Sequence, residues 1–107
     1  MDLNKPQINN LISAILALKD EKEAKRFLRD LLTEAELEEF SKRWQAAQML
    51  DEKMPYTQII KKTGLSSTTV ARISKWLKNG KGGYKLMLNR LHHHSSLSRR
   101  KSCVKYA

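Results

Sequence analysis

The sequence predicts an all-α protein with a helix-turn-helix in its second half. Three observations carry that prediction. Apolar residues recur at spacings of three and four in one segment after another, the period of a helix with one buried face. No stretch alternates apolar and polar residues as a half-buried strand would. The 4 Gly and 2 Pro of the 107 residues stand at the edges of the periodic segments and so punctuate them.

The first helix is expected to start at Asn4 or Lys5 with Pro6, because proline's missing N–H is not needed in a first turn. Ile8, Leu11, Ile12, Ile15 and Leu16 give it a narrow apolar stripe, lengthened by Leu18. Asp20 with Glu23 resembles a capping box for a second helix, whose inward residues would be Ala24, Phe27, Leu28, Leu31 and Leu32. Thr33 with Glu36 is a better capping box and opens a third helix, lined by Leu37, Phe40, Trp44, Ala47 and Leu50. Glu34, Glu36, Glu38 and Glu39 lie in its first two turns, where negative charge suits the helix dipole. Asp51 to Pro55 reads as a break, with Pro55 ending any continuation.

The stretch PYTQIIKKTGLSSTTVARISKWL, Pro55 to Leu77, is organised as two short helices around a glycine. The first would run from about Tyr56 to Thr63 with Ile59 and Ile60 inward. Gly64 falls where a positive φ is wanted at a helix end, and Leu65 plugs the turn. Ser66 and Ser67 are natural N-caps for the second helix, which turns Val70, Ile73 and Leu77 inward. Its outer face carries Ser67, Thr68, Ala71, Arg72 and Lys75, short at the N-terminal end and basic beyond. Short polar side chains let a helix N-terminus enter the major groove, while longer ones reach base edges and phosphates. After Leu77, Asn79-Gly80 and Gly82-Gly83 break the chain, and a last helix from about Tyr84 to Leu91 would bury Met87, Leu88 and Leu91. Residues 1–91 are thus expected to form one helical domain. The serine-rich, basic segment from His92 to Ala107 is expected to be disordered.

Charge separates the two halves. Residues 1–52 hold eight Lys/Arg and eleven Asp/Glu, a net of −3. Residues 53–107 hold thirteen Lys/Arg and no carboxylate, a net of +13 that begins where the helix-turn-helix begins. A solvated helical face mixes both signs, so this half is a footprint for a polyanion. Lys61, Lys62, Lys78, Lys81 and Lys85 are the expected phosphate neutralisers, and Arg99, Arg100 and Lys101 would add looser contacts.

Other function classes find little support. No apolar run is long enough to cross a bilayer, no signal segment opens the chain, and the single Cys103 fits a reducing cytoplasm. GKGGYK lacks the serine or threonine of a nucleotide P-loop. His92, His93 and His94 are consecutive, so on a helix they diverge and cannot share a metal. No nucleophile is paired with a base, so an enzyme is not expected.

Asp30-Leu31-Leu32-Thr33, Arg43, Tyr56-Thr57-Gln58-Ile59-Ile60, Thr63-Gly64, Thr69-Val70-Ala71-Arg72-Ile73 and Gly82-Gly83-Tyr84 occur here in one order and spacing. From Phe27 to Leu91 the chain resembles the Trp repressor superfamily, and more closely its YerC/YecD-type Trp repressor-like branch. The resemblance implies about six helices, an intertwined homodimer and sequence-specific DNA binding in transcriptional control, usually repression. It places Ser67, Thr68, Thr69, Arg72 and Lys75 on DNA, with Ser66 near the turn. Thr33, Arg43, Thr69 and Arg72 fall where the family's threonines and arginines hold tryptophan. Ile73 stands in place of the family's glycine and Trp76 in place of a serine. Ile73 adds a branched side chain where the ring needs a gap, so L-tryptophan is not expected as corepressor and no cofactor is assigned. Ile60 replaces the alanine common in such motifs, which would widen the angle between the two helices.

The expected function is therefore a homodimeric, cytoplasmic DNA-binding regulator that puts one recognition helix per subunit into the major groove of a two-fold operator. Leu-rich stripes on three helices favour the dimer over an ordinary monomeric core. The competing reading is a module that binds nucleic acid without sequence preference, or an acidic protein, through the basic half. The short polar start of the second reading helix distinguishes the two.

Overall fold

Side-chain caps set the starts of three helices. Asp20 Oδ1 accepts from the Glu23 N–H at 2.9 Å, while Glu23 Oε1 accepts from Lys19 N–H at 2.9 Å, one residue earlier than in a reciprocal box. Thr33 and Glu36 form the full box: Thr33 Oγ1 accepts from Glu36 N–H at 3.1 Å and Glu36 Oε1 accepts from Thr33 N–H at 2.9 Å. Ser66 Oγ accepts from Thr69 N–H at 3.1 Å. The computed structural model describes residues 1–97, with side chains through residue 92. Those residues form α1 (Pro6–Leu16), α2 (Glu21–Leu31), α3 (Glu34–Asp51), α4 (Tyr56–Thr63), α5 (Ser67–Asn79) and α6 (Gly83–Leu97), with no strand among them. None of these helices is long and apolar enough to cross a membrane.

The chain divides into two compact units, one from Met1 to Glu38 and one from Glu39 onward. In the first unit no residue of α1 or α2 is buried. Ile12 and Leu16 of the predicted stripe are 47% and 78% exposed, and Leu31 of α2 is 46% exposed. The periodicity is real, and within this unit its apolar stripe stays largely exposed.

The second unit has a core. Ala46, Ala47 and Met49 of α3 pack with Ile59, Leu65, Val70 and Ile73 of the helix-turn-helix, and Trp44, Leu50, Met54, Ile60 and Tyr84 close around them. Ala46 and Ala47 are fully buried in this cluster and bring almost no side-chain bulk to it. Phe40, expected inward, is 47% exposed.

Helix ends depart from expectation in two places. The break after α3 is made by Lys53, not Pro55. Lys53 adopts φ 65°, its N–H bonds to Leu50 C=O at 3.0 Å, and Met54 N–H bonds to Met49 C=O at 3.1 Å. That pair is the Schellman pattern, with lysine where glycine is usual. Pro55, at φ −62° and ψ 147°, instead precedes the first residue of α4. The second departure is α6, which runs to Leu97, past the boundary expected at Leu91. After Gly83 no glycine or proline interrupts it, and histidine and serine are tolerated in helices. The remaining residues of the expected tail, 98–107, with Arg99, Arg100, Lys101 and Cys103, lie outside the described residues. Along α6, Tyr84, Leu88 and Leu91 share the inward face at i, i+4 and i+7, whereas Met87 stands on the flank, 39% exposed.

Candidate nucleic-acid interface

The helix-turn-helix is built by bonds local to its turn. Gly64 takes φ 78° and its N–H reaches Ile60 C=O at 2.9 Å, closing α4. Thr63, buried at the same corner, donates its hydroxyl to Ile59 C=O at 2.7 Å and accepts from Leu65 N–H at 3.2 Å. That double use fixes where Leu65 enters the core, and Leu65 is 6% exposed as the plug of the turn. Ser66 then caps α5, and its Oγ also donates to Thr69 Oγ1 at 3.0 Å.

With Val70 and Ile73 fully buried, the opposite face of α5 is fixed outward. Ser67, Thr68, Ala71, Arg72 and Lys75 are all exposed on it. Ser66 and Thr69 differ from the rest of the predicted set because their hydroxyls bond each other at the cap. Lys61 and Lys62 lie in the last turn of α4, Lys78 in the last turn of α5, and Lys81 and Lys85 around the start of α6, all exposed. Among the described residues the ion pairs are Lys25–Glu21 and Arg43–Glu39, so none of these cations is matched by a carboxylate. At about 1.5 Å per residue, α5 presents a face roughly 20 Å long, enough to lie along a major groove.

The residues predicted for a tryptophan ligand each have local partners or exposure of their own. Thr33 Oγ1 caps α3. Arg43 Nε bonds Glu39 Oε2 at 3.3 Å, and its guanidinium stacks 5.7 Å over the Phe40 ring. Thr69 is engaged by Ser66, and Arg72 projects from the outer face. Ile73 is fully buried in the core of the reading head.

Two clefts flank α5, neither of them anticipated from the sequence. One, of about 790 Å³, lies between Trp44, Trp76, the Asn79–Gly83 corner, Tyr84 and Met87. The Trp44 and Tyr84 rings stack across it with centroids 6.4 Å apart and planes at 16°. Burial raises the Tyr84 phenol above its ordinary pKa of 10.0, with the nearby Arg43 charge pulling weakly the other way. The other cleft, of about 390 Å³, opens between the end of α3, the start of α4 and the far flank of α5. An aromatic on the flank of a recognition helix, as Trp76 is, was the available signal for the first. The second had none, since its parts are scattered over 35 residues.

Comparison with known proteins bears on this geometry. The family model described as Trp repressor protein matches residues 6–92. A protein of Bacillus subtilis (strain 168), the uncharacterized protein YerC, is 35% identical over 85 residues, covering 79% of this chain and 82% of its own. A TrpR-like protein from Eubacterium eligens ATCC 27750 superposes with a TM-score of 0.80 at 38% identity, covering 84% of this chain and 93% of its own. A putative Trp repressor from Staphylococcus aureus gives 0.79 at 30% identity, covering 86% and 95%.

Proposed function

This chain belongs to the Trp repressor family, a family of DNA-binding regulators, and on that premise we propose that it is a sequence-specific repressor acting in the cytoplasm as a homodimer. Each subunit lays the Ser67–Lys75 face of α5 into one major groove of a two-fold operator, with half-sites about 34–36 Å apart. Arg72 and Lys75 reach base edges or the backbone, Ser67 and Thr68 enter the groove at the N-terminal end, and the five surrounding lysines hold phosphates. The observation that carries this reading is the outer face of α5: exposed, polar at its start, and basic with no carboxylate partner. The exposed apolar Ile12, Ile15 and Leu16 of α1 support the dimer, since an apolar face of this kind is suited to burial against a second chain.

L-tryptophan is not part of the proposal. Ile73 is sealed in the core, and Thr33, Arg43 and Thr69 each already have a bonding partner.

Fluorescence anisotropy at about 150 mM salt tests the reading, with a duplex from the protein's own upstream region, a wider operator search and a scrambled control. Specific binding should exceed scrambled by about a thousandfold or more. Arg72→Ala should narrow that gap by about 1–3 kcal/mol if it touches a base. Adding L-tryptophan should leave it unchanged. Weak, equal and steeply salt-dependent binding to every duplex would instead establish a non-specific module, the use that an acid-free half also permits.

A further inference from the structure

The smaller cleft lies on the flank of α5 away from Trp76, since Ser74 and Trp76 are two positions and about 160° apart around the helix. Lys53, Lys78 and Lys85 and the hydroxyl-bearing Ser74 and Tyr56 are among the residues that line it. Asp51 is the one carboxylate on the rim, and it pairs with none of the lysines.

Ser74 is the informative residue. It is only 6% exposed, yet its hydroxyl makes no hydrogen bond among the described residues. No buried side-chain polar atom in the described residues is both shut from solvent and unpartnered, so the Ser74 oxygen keeps its opening toward the cleft it lines. That oxygen, on an otherwise buried residue, is free to bond a group that enters from the cleft. Lys53 adds a second observation. Its left-handed backbone at φ 65° suits glycine better, and it fixes a lysine stem at the cleft wall.

Three cations against one carboxylate select an anion, and two hydroxyl donors select one with several acceptor oxygens. A phosphate group, with about two negative charges and three free oxygens, matches that set better than a carboxylate does. A metal cation would be repelled. We propose that this cleft holds a phosphate group, with Ser74 and Tyr56 donating to its oxygens and Lys53, Lys78 and Lys85 balancing its charge. The phosphate is carried by a small molecule or belongs to a DNA backbone beside the reading face. Only the second source rests on the DNA-binding reading.

The test uses the full chain, Ser74→Ala and Lys85→Gln, each checked for unchanged helical circular dichroism. Inorganic phosphate is titrated by calorimetry against chloride at matched ionic strength, and a duplex is titrated in parallel. Saturable phosphate binding that weakens about tenfold in both variants establishes a site for free phosphate. Failure of free phosphate to saturate, with both variants weakening every duplex and Lys85→Gln lowering the salt slope by about one, assigns the cleft to the DNA backbone. Phosphate bound by a wild-type chain that binds no duplex sinks the DNA reading and leaves the site standing. Phosphate that does not saturate, together with duplex binding unchanged in both variants, overturns the proposal.

Discussion

Two glycines lie on either side of α5, and substituting each by alanine separates two physical reasons for being glycine. At Gly80 the backbone, at φ −81°, suits any residue, but an added Cβ would stand 2.4 Å from the Trp76 carbonyl oxygen and 3.1 Å from its carbon. Both atoms are backbone, so the last turn of α5 must move by roughly an ångström, and the 2.8 Å bond from Gly80 N–H to Trp76 C=O goes with it. Overpacking costs about 1–3 kcal/mol and the bond about 1 more, offset by about 0.4–1 from a stiffer unfolded chain. Gly80→Ala should therefore destabilise by about 1–3.5 kcal/mol. At Gly64 nothing lies within 4 Å of an added Cβ, so only the left-handed φ of 78° matters. That strain is about 1–2 kcal/mol before the same offset, leaving about 1 kcal/mol. Urea unfolding followed by circular dichroism, with every variant at the same protein concentration, measures both. If Gly64→Ala proves as damaging as Gly80→Ala, or if Gly80→Ala stays within about 0.5 kcal/mol of the parent, the steric account of Gly80 is wrong.

Lys81→Ala should weaken binding to all duplexes alike and lower the salt slope by about one, as an exposed and unpaired phosphate contact would; an unchanged slope removes Lys81 from the interface. Thr33→Ala deletes the hydroxyl that caps α3 and should cost about 0.5–2 kcal/mol in the same unfolding assay, with Thr33→Ser retaining most of it. Lys53→Gly relieves a left-handed lysine and should raise stability by up to about 1 kcal/mol, and a loss there would mean that the lysine stem packs usefully. Burial holds Tyr84 protonated above its ordinary pKa of 10.0, so its contribution is fully present below about pH 10 and is lost as pH rises through the folded value. Tyr84→Phe should flatten that alkaline decline in a stability-versus-pH series, and a decline of unchanged steepness would assign it elsewhere.

What could be read from the sequence was what neighbouring residues decide among themselves. The Thr33–Glu36 box, the Ser66 cap, the Gly64 corner and the inward Val70 and Ile73 are all settled within a turn or two of chain, and each is found where the spacing put it. The outward face of α5 was legible for the same reason, because burial of one side of the helix dictates the other. Failures came where distant parts decide. Lys53 ends α3 although nothing local marks it as a left-handed residue, and Pro55 drew attention away from it. Trp44 and Tyr84 meet across forty residues, and the cleft at Ser74 draws on four helices, so no window of sequence contains either. Apolar periodicity in α1 and α2 gave the helices correctly but could not say what covers Ile12 or Leu16.

The aromatic cleft also gives the molecule its own optical reporter. Its two tryptophans, Trp44 and Trp76, line the same cavity in different surroundings, one half-buried and stacked on Tyr84, the other 44% exposed. Trp44 should emit at shorter wavelength than Trp76, so the intrinsic spectrum is a sum of two resolvable bands. A molecule entering the cleft would shift both bands together. Undocking of α6 would unstack Trp44 from Tyr84 and red-shift its band most, while an event confined to the outer face of α5 would register through Trp76. Single-tryptophan variants, Trp44→Phe and Trp76→Phe, would turn those signatures into a label-free way to tell which part of the reading head has responded.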